Sequence, residues 1–444
     1  MTSLAAVRAW SSTLHGDVIL PSDAEYDAAR RVWNLDIDRR PAFIVGCADE
    51  HDVVRAVEFA RTHDLEVAVR SGGHSQPGHS VCDGGMLIDL ARLSRADVDP
   101  RRQAARIGAG VRVGAMLNAT GAYGLAAPTG ACPEVGIAGL TLGGGESLLM
   151  ARHGAVCDNL ISARVVTAAG RVLTASADEN ADLYWAVRGG GGNFGIATEF
   201  AFRLHPLDRV LSGRLMFPVR HARDAMRTYR ELMNGAPDDL QTSGGLASSE
   251  DEPAFFIAVC HCGDADSAHS LIDRWRESLR PASDNIKWMP YSADFILSAV
   301  ASDGTGSFLP ELSDEVIDVL ADSFNSAPPS CTVAWNDYHG AVTRVRPEAM
   351  AFPLRHLGYD VFVHATWKAA ESRRHALRWM RELQEALRPW ERGVYVNNIG
   401  TSSEERTAAA YGPNFERLTS IKAKYDPDNF FHLNHNIRPR PFSR

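Results

Sequence analysis

The run Val69-Arg70-Ser71-Gly72-Gly73-His74-Ser75-Gln76-Pro77-Gly78-His79 constrains this chain more than any other stretch. It follows a Val-rich segment, Glu66 to Val69, whose apolar continuity predicts a buried strand. It then breaks into small residues with two consecutive glycines. A backbone without Cβ atoms can bend tightly and converge its N–H groups on one anion. His74 stands at the end of that turn. A second run of similar character, Thr129-Gly130-Ala131-Cys132-Pro133-Glu134-Val135-Gly136-Ile137-Ala138-Gly139, holds a single cysteine. Taken alone, each run reads as a plain glycine turn, one with a capping histidine and one with a small buried cysteine.

The rest of the chain sets these runs among alternating strands and helices. Residues 1 to 40 read as an irregular leader with one short helix around Glu25 to Val32. Pro41 to Val45 reads as a strand, and Asp49 or Asp52 can cap a helix running to about His63. With Glu66 to Arg70 this makes a βαβ unit. Met86 to Leu90 and Ala105 to Gly108 continue as strands, and Val113 to Gly121 as a helix. Ala163 to Val166 and Arg171 to Thr174 form a hairpin around Ala169-Gly170. Gly190, Gly192 and Gly195 satisfy the dinucleotide pattern G-x-G-x-x-G, but they follow a helix and precede the strand Ile196 to Leu204. A dinucleotide fingerprint needs the opposite order, so NAD is not expected. From Leu211 to about Arg392 the glycine loops thin out, and the alternation of helices and strands predicts an antiparallel sheet with covering helices. Within it, Trp335 to Gly340 and Asp360 to Thr366 are strand candidates.

Composition narrows the function classes. The 444 residues are 45% hydrophobic and 23% charged, ordinary for a globular enzyme and long enough for two or three domains. A net charge of −9 argues against nucleic acid or anionic membrane as partner. No apolar run approaches the roughly 18 residues of a membrane span. Met1 to Arg8 lacks the basic start and apolar core of a signal peptide, so a cytoplasmic protein is expected. Seven cysteines form no even framework for disulfides. Cys260-His261-Cys262 sits at the end of an apolar run and reads as strand residues alternating between faces, so no metal is expected.

Together, His74 in R-S-G-G-H and Cys132 in G-x-C-x-x-V-G resemble the berberine bridge enzyme-like flavoproteins. These share the vanillyl-alcohol oxidase/p-cresol methylhydroxylase fold. The resemblance runs from about Pro41 to Ile437 and is thinnest between Leu211 and Thr332. It implies an α+β fold of two domains. Residues 1–207 would begin the FAD-binding domain, 208–392 would form the substrate-binding domain, and 393–444 would return to complete the first. It implies FAD tethered twice, at the 8α-methyl by His74 and at C6 by Cys132. Ser71, Gly72, Gly73 and Ser75 would cradle the pyrophosphate. Arg70, Gly78, Thr129, Gly136, Gly139, Asn159, Ile196, Asn397 and Asn436 would also bind the cofactor, and His79 would be a structural hydrogen-bonder.

The resemblance carries a mechanism as well. Tyr395, in Tyr-x-Asn, matches the family's active-site tyrosine, which would assist deprotonation as hydride passes to flavin N5. An ordinary tyrosine has a pKa of about 10, so a basic role needs a downward shift of about three units. Asp337, in Asp-x-His-Gly, matches the carboxylate that sugar-oxidising relatives place beside that tyrosine, and Tyr338 is a further candidate from the same segment. Val135 matches a position where a small side chain admits O2, so the implied enzyme is an oxidase that makes H2O2 from a small-molecule alcohol or activated C–H. An oxidative cyclase or dehydrogenase of a natural-product intermediate is the alternative, and a flavin-holding protein with little turnover is a third reading. Two places depart from the family pattern. Gly143-Gly144-Gly145 is followed by Glu146-Ser147-Leu148 rather than x-Gly-Trp/Phe, and Tyr-x-Asn is followed by Asn398-Ile399-Gly400 rather than an acid.

Overall fold

The computed structural model describes residues 4–247, 253–291, 300–329, 331–401 and 403–440. Met1-Thr2-Ser3, the start of the stretch weighed above as a leader, lie outside them.

Three sheets carry the fold. In the first, the strand Val67–Arg70 and the strand Phe43–Gly46 both run parallel to Met86–Asp89, which lies between them. The helix Glu50–Thr62 makes the crossover, with Asp49 capping it by accepting from the backbone N–H of Asp52. Its Val53, Ala56, Val57 and Ala60 are fully buried, as their helical spacing requires. The N-terminal stretch is more ordered than the sequence suggests. A helix, Leu4–Ser11, buries Val7 and Trp10, and the Trp10 ring stacks on Phe59 at 4.3 Å. The strand Asp17–Ile19 then joins the sheet edge antiparallel to Phe43–Gly46, and the expected helix shrinks to Tyr26–Ala29. Eight residues are too few to signal a helix by periodicity; the packing of Trp10 selects it.

The second sheet is antiparallel, ordered Ala96–Asp99, Ala104–Gly108, Ile196–Arg203, Leu160–Val166, Val172–Ser176. Between Ala181–Ala186 and Ile196–Arg203 lies the turn Gly191–Phe194. The C-terminal segment docks on this turn. Lys422, fully buried, donates to Asn193 O (2.8 Å), Phe431 O (2.9 Å) and Asp426 Oδ2 (2.6 Å). Tyr411, Leu418, Phe431 and Ile437 thereby join one hydrophobic core with Phe194 and Ile196.

The third sheet has eight strands, all antiparallel, drawn from residues 209–367. Helices Ala222–Met233, Ala265–Leu279, Asp314–Phe324 and Ala370–Leu387 cover one face and make a second core with Trp335, Val361 and Val363. Alternate residues of Thr332–Tyr338 and Gly358–Trp367 point the other way, toward the first core. Cys260 and His261 are both buried at the end of the strand Ala254–His261. The fold is therefore α+β with two domains' worth of core. No helix among the described residues is long and apolar enough to cross a membrane.

Candidate active site

A cavity of about 590 Å³ lies between the glycine loops and the bare face of the large sheet. The two loops meet there. A β-carbon on Gly72 would overlap the backbone nitrogen of Gly136, and one on Gly136 would overlap that of Gly72. Glycine at both positions lets the backbones touch. Ser71 Oγ ties the first loop down by donating to Ala109 O at 2.6 Å, and Arg112 bridges to Gly136 from the second.

Of the residues expected at the cofactor, Ser71, Gly72, Gly73, His74, Ser75, Val135, Gly136, Gly139, Ile196 and Asn397 line the cavity. The His74 ring stacks on Trp33 at 5.4 Å, and burial lowers its pKa to about 4. It is a neutral imidazole with a free lone pair for bond formation. Cys132 is buried, 6% exposed; Ala131 and Val135 on either side of it reach the cavity wall.

Five expected contacts go elsewhere, each for a physical reason. The Arg70 guanidinium is spent on Arg31 O (3.1 Å) and Asp89 (2.5 Å), bracing the loop from outside the cavity. Gly78 packs over Ile37, with φ +72°, and is a turn glycine. Thr129 is wholly buried, one residue short of the wall that begins at Gly130. Asn159 donates to His153 O and Ala155 O and pairs with His205 Nε2, so its side chain is saturated in a structural knot. Asn436 lines a separate hollow of about 310 Å³, together with His79 and His435 that divide it from the main cavity.

Tyr395 reaches the cavity from a short turn, Val396–Asn398, not from a strand. Its oxygen accepts from the Gly145 N–H (3.0 Å) and Asn397 Nδ2 (2.8 Å). Both lone pairs are thereby engaged, which leaves its O–H to act as a donor. Burial and the neighbouring Glu146 push its pKa well above 10, although the two donors pull the other way. The downward shift that a basic tyrosine needs is absent. In these surroundings the Tyr395 hydroxyl is held in its protonated form.

Asp337, the expected relay carboxylate, does not line the cavity. Asp337 lies on the helix-covered face of its strand, where it pairs with His339 Nδ1, and its backbone O accepts from Gln241. Strand alternation sends Asn336 and Tyr338 to the opposite face, and both grip Glu146: Asn336 Nδ2 at 2.6 Å and Tyr338 Oη at 2.8 Å. Asp360 stands across the ladder from Asn336 and accepts from Asn398 Nδ2 at 2.6 Å. Glu146 and Asp360 lie within hydrogen-bonding reach of each other. Burial raises Glu146 to about 7 and, with the Glu146 charge, holds Asp360 well above the usual carboxylate range. Like charges this close cannot both ionise, so the pair keeps one proton at neutral pH.

Sequence reasoning passed over both acids. Glu146 registered only as a departure from a glycine pattern. Asp360 carried a usable signal, an acid inside the apolar run Gly-Tyr-Asp-Val-Phe-Val, with the parity of Phe362 and His364 that also face inward.

The site fits FAD. Its wall offers Cβ-free backbone for a diphosphate, and buried polar atoms of Tyr411 (hydroxyl) and Asn434 (Oδ1), both cavity residues, have no partner among the described residues. Residues 41–176 match the family described as FAD binding domain, and residues 394–438 match that described as Berberine and berberine like. The chain is 33% identical to (R)-6-hydroxynicotine oxidase of Paenarthrobacter nicotinovorans, covering 96% of this chain and 97% of that one. It is 29% identical to the uncharacterized FAD-linked oxidoreductase YgaK of Bacillus subtilis, covering 96% and 97%. The crystal structure of 6-hydroxy-D-nicotine oxidase from Arthrobacter nicotinovorans superposes with a TM-score of 0.88 at 29% identity, over 96% of this chain and 98% of that one. BBE-like 1 of Physcomitrella patens shares the fold, with a TM-score of 0.88 over 98% and 99% at 23% identity. Residue pattern, cavity and likeness agree: the chain belongs to the berberine bridge enzyme-like family of FAD-linked oxidoreductases.

Proposed function

We propose that this protein is an oxidase whose FAD is tethered by both His74 and Cys132 and whose reduced state is reoxidised by O2 to give H2O2. When bound, the flavin supplies a two-electron acceptor for hydride from a substrate C–H. The carrying observation is the backbone contact of Gly72 with Gly136, which joins the histidine loop and the cysteine loop into one wall. A neutral His74 has the lone pair that a covalent bond requires.

The protein's own groups handle the proton. Tyr395, its oxygen filled by Gly145 and Asn397, donates its O–H into the cavity and orients a substrate heteroatom. Glu146, poised at about 7, takes the proton that the heteroatom gives up. Tyr338 and Asn336 hold Glu146 in place, and Asp360 retains the proton of the pair. Val135, at the wall beside the cysteine loop, leaves space for O2. The relative of 33% identity is itself named an oxidase.

Acid precipitation of the purified protein tests the tether. The yellow colour is expected to stay with the polypeptide, and peptide mapping to assign it to His74 and Cys132. A colourless pellet under a yellow supernatant overturns the covalent reading. Product analysis then separates a carbonyl or imine, expected here, from a new ring or C=C.

A further inference from the structure

We infer that Trp33 is the positioning residue for the bond at His74: its indole face sets the plane of the imidazole and eases the positive charge that ring acquires as the bond forms. This goes beyond the assignment of the tether and rests on it.

Geometry carries the first part. Trp33 and His74 both line the cavity, and their rings lie nearly parallel, with centres 5.4 Å apart and planes 21° from each other. A histidine set up for chemistry is ordinarily oriented by a hydrogen bond to one of its ring nitrogens. Among the described residues His74 has no such bond, and the charged groups whose fields reach it, Arg112 and Glu134, are paired with each other. The stack is what remains to fix the ring plane.

Trp33 is itself fixed from both sides of the histidine. Its backbone N–H donates to Gly73 O at 3.0 Å. The next residue, Asn34, is buried; its side chain donates to Gln76 O at 2.7 Å and Ser302 O at 2.9 Å, and accepts from the Ser302 N–H at 3.1 Å. The segment is thus stitched to the loop before and after His74, and to the strand Ala301–Leu309 of the large sheet. Trp33 also stacks against His364 at 6.0 Å, and His364 against Phe362 at 5.8 Å. A row of flat rings therefore runs from the histidine loop to the sheet.

Charge carries the second part. The bond joins a His74 ring nitrogen to the flavin 8α carbon. One methyl C–H breaks and its hydrogen leaves as a proton, the nitrogen lone pair forms the N–C bond, and the imidazole N–H gives up a second proton. Two electrons collect in the flavin and pass with the two protons to O2, so one O2 becomes one H2O2 for each bond made. Until its N–H proton leaves, the imidazole carries positive charge. Burial opposes that charge and holds the free ring at a pKa of about 4. An aromatic face beside the ring attracts a cation, indole more strongly than phenyl.

The test uses the full chain purified from riboflavin-starved cells and then given FAD in air. The readout is acid-stable flavin absorbance on the precipitated chain against time, with FAD affinity measured before the bond forms. In a Cys132→Ala background, where His74 carries the bond, Trp33→Leu should slow attachment about 10–100-fold and leave the initial FAD affinity little changed. Trp33→Phe, which keeps a flat ring with a weaker face, should fall between. In a His74→Ala background, where Cys132 carries the bond, Trp33→Leu should not alter the rate. An unslowed rate in the first background, equal slowing in both, or Trp33→Phe no faster than Trp33→Leu overturns the inference. Should Trp33→Leu fail to fold, Trp33→Phe decides, and an undiminished rate overturns it. A Cys132→Ala chain that forms no acid-stable flavin with Trp33 in place overturns the His74 tether, and the inference falls with it.

Discussion

Gly72 and Gly136 occupy each other's side-chain space: a β-carbon on either would sit well inside 3.0 Å of the other's backbone nitrogen. This contact joins the loop that carries His74 to the loop that carries Cys132.

Gly136→Ala should therefore part the loops. Backbone cannot yield as a flexible side chain does, so a destabilisation of about 1–3 kcal/mol is expected, with a larger fractional loss of bound flavin. Thermal melting and the ratio of flavin to protein absorbance measure both. Retention of full flavin content would show that the contact does not shape the site.

The tethers are expected to be redundant for retention. His74→Ala and Cys132→Ala should each keep flavin on the acid-precipitated chain through the remaining bond, and the double variant should release it. Release from either single variant would mean one attachment, not two.

Glu146 makes a pH prediction with a definite sign. Its ordinary pKa is 4.5, and burial raises it to about 7 in the folded protein. The folded state thus holds the proton more tightly than the unfolded chain. The associated stability is fully present below about 4.5 and is lost as pH rises through about 7. Turnover should follow the opposite course, rising through the same range as the base ionises. Glu146→Gln should lose the rising limb and about 10²–10⁴-fold in kcat, while its stability should decline less toward alkaline pH than that of the native protein. A retained rising limb in the variant would assign the base elsewhere.

Asp337 offers the contrasting case. Facing the helices with His339, it should matter to folding alone. Asp337→Asn is expected to cost about 1–3 kcal/mol of stability and to leave kcat/KM unchanged. A large loss of kcat in a well-folded variant would restore it to the chemistry.

Val135 borders the cavity. Val135→Ile should slow reoxidation by O2 about tenfold, roughly 1.4 kcal/mol of barrier. Flavin reduction by substrate should be unaffected. Stopped-flow measurement of the two half-reactions distinguishes this from a general defect.

The sequence alone determined the parts whose signal is local. Glycine pairs beside a buried strand, a capped helix at Asp49 and a hairpin at Gly170 follow from backbone sterics and hydrogen bonding within a few residues, and all three stand where the residues put them. The His74 and Cys132 runs were legible for the same reason. Tertiary structure alone decided which acid meets the tyrosine. Asp337 and Asp360 both lie on strands, and a side chain's face depends on its register against a covered and an uncovered side of the sheet. That register is set by pairing between distant segments, such as Asn336 with Asp360. Glu146 joins them only because a loop some 190 residues away folds beneath the same sheet, 2.6 Å from Asn336. No spacing along the chain encodes that meeting; the packing of one domain on the other does.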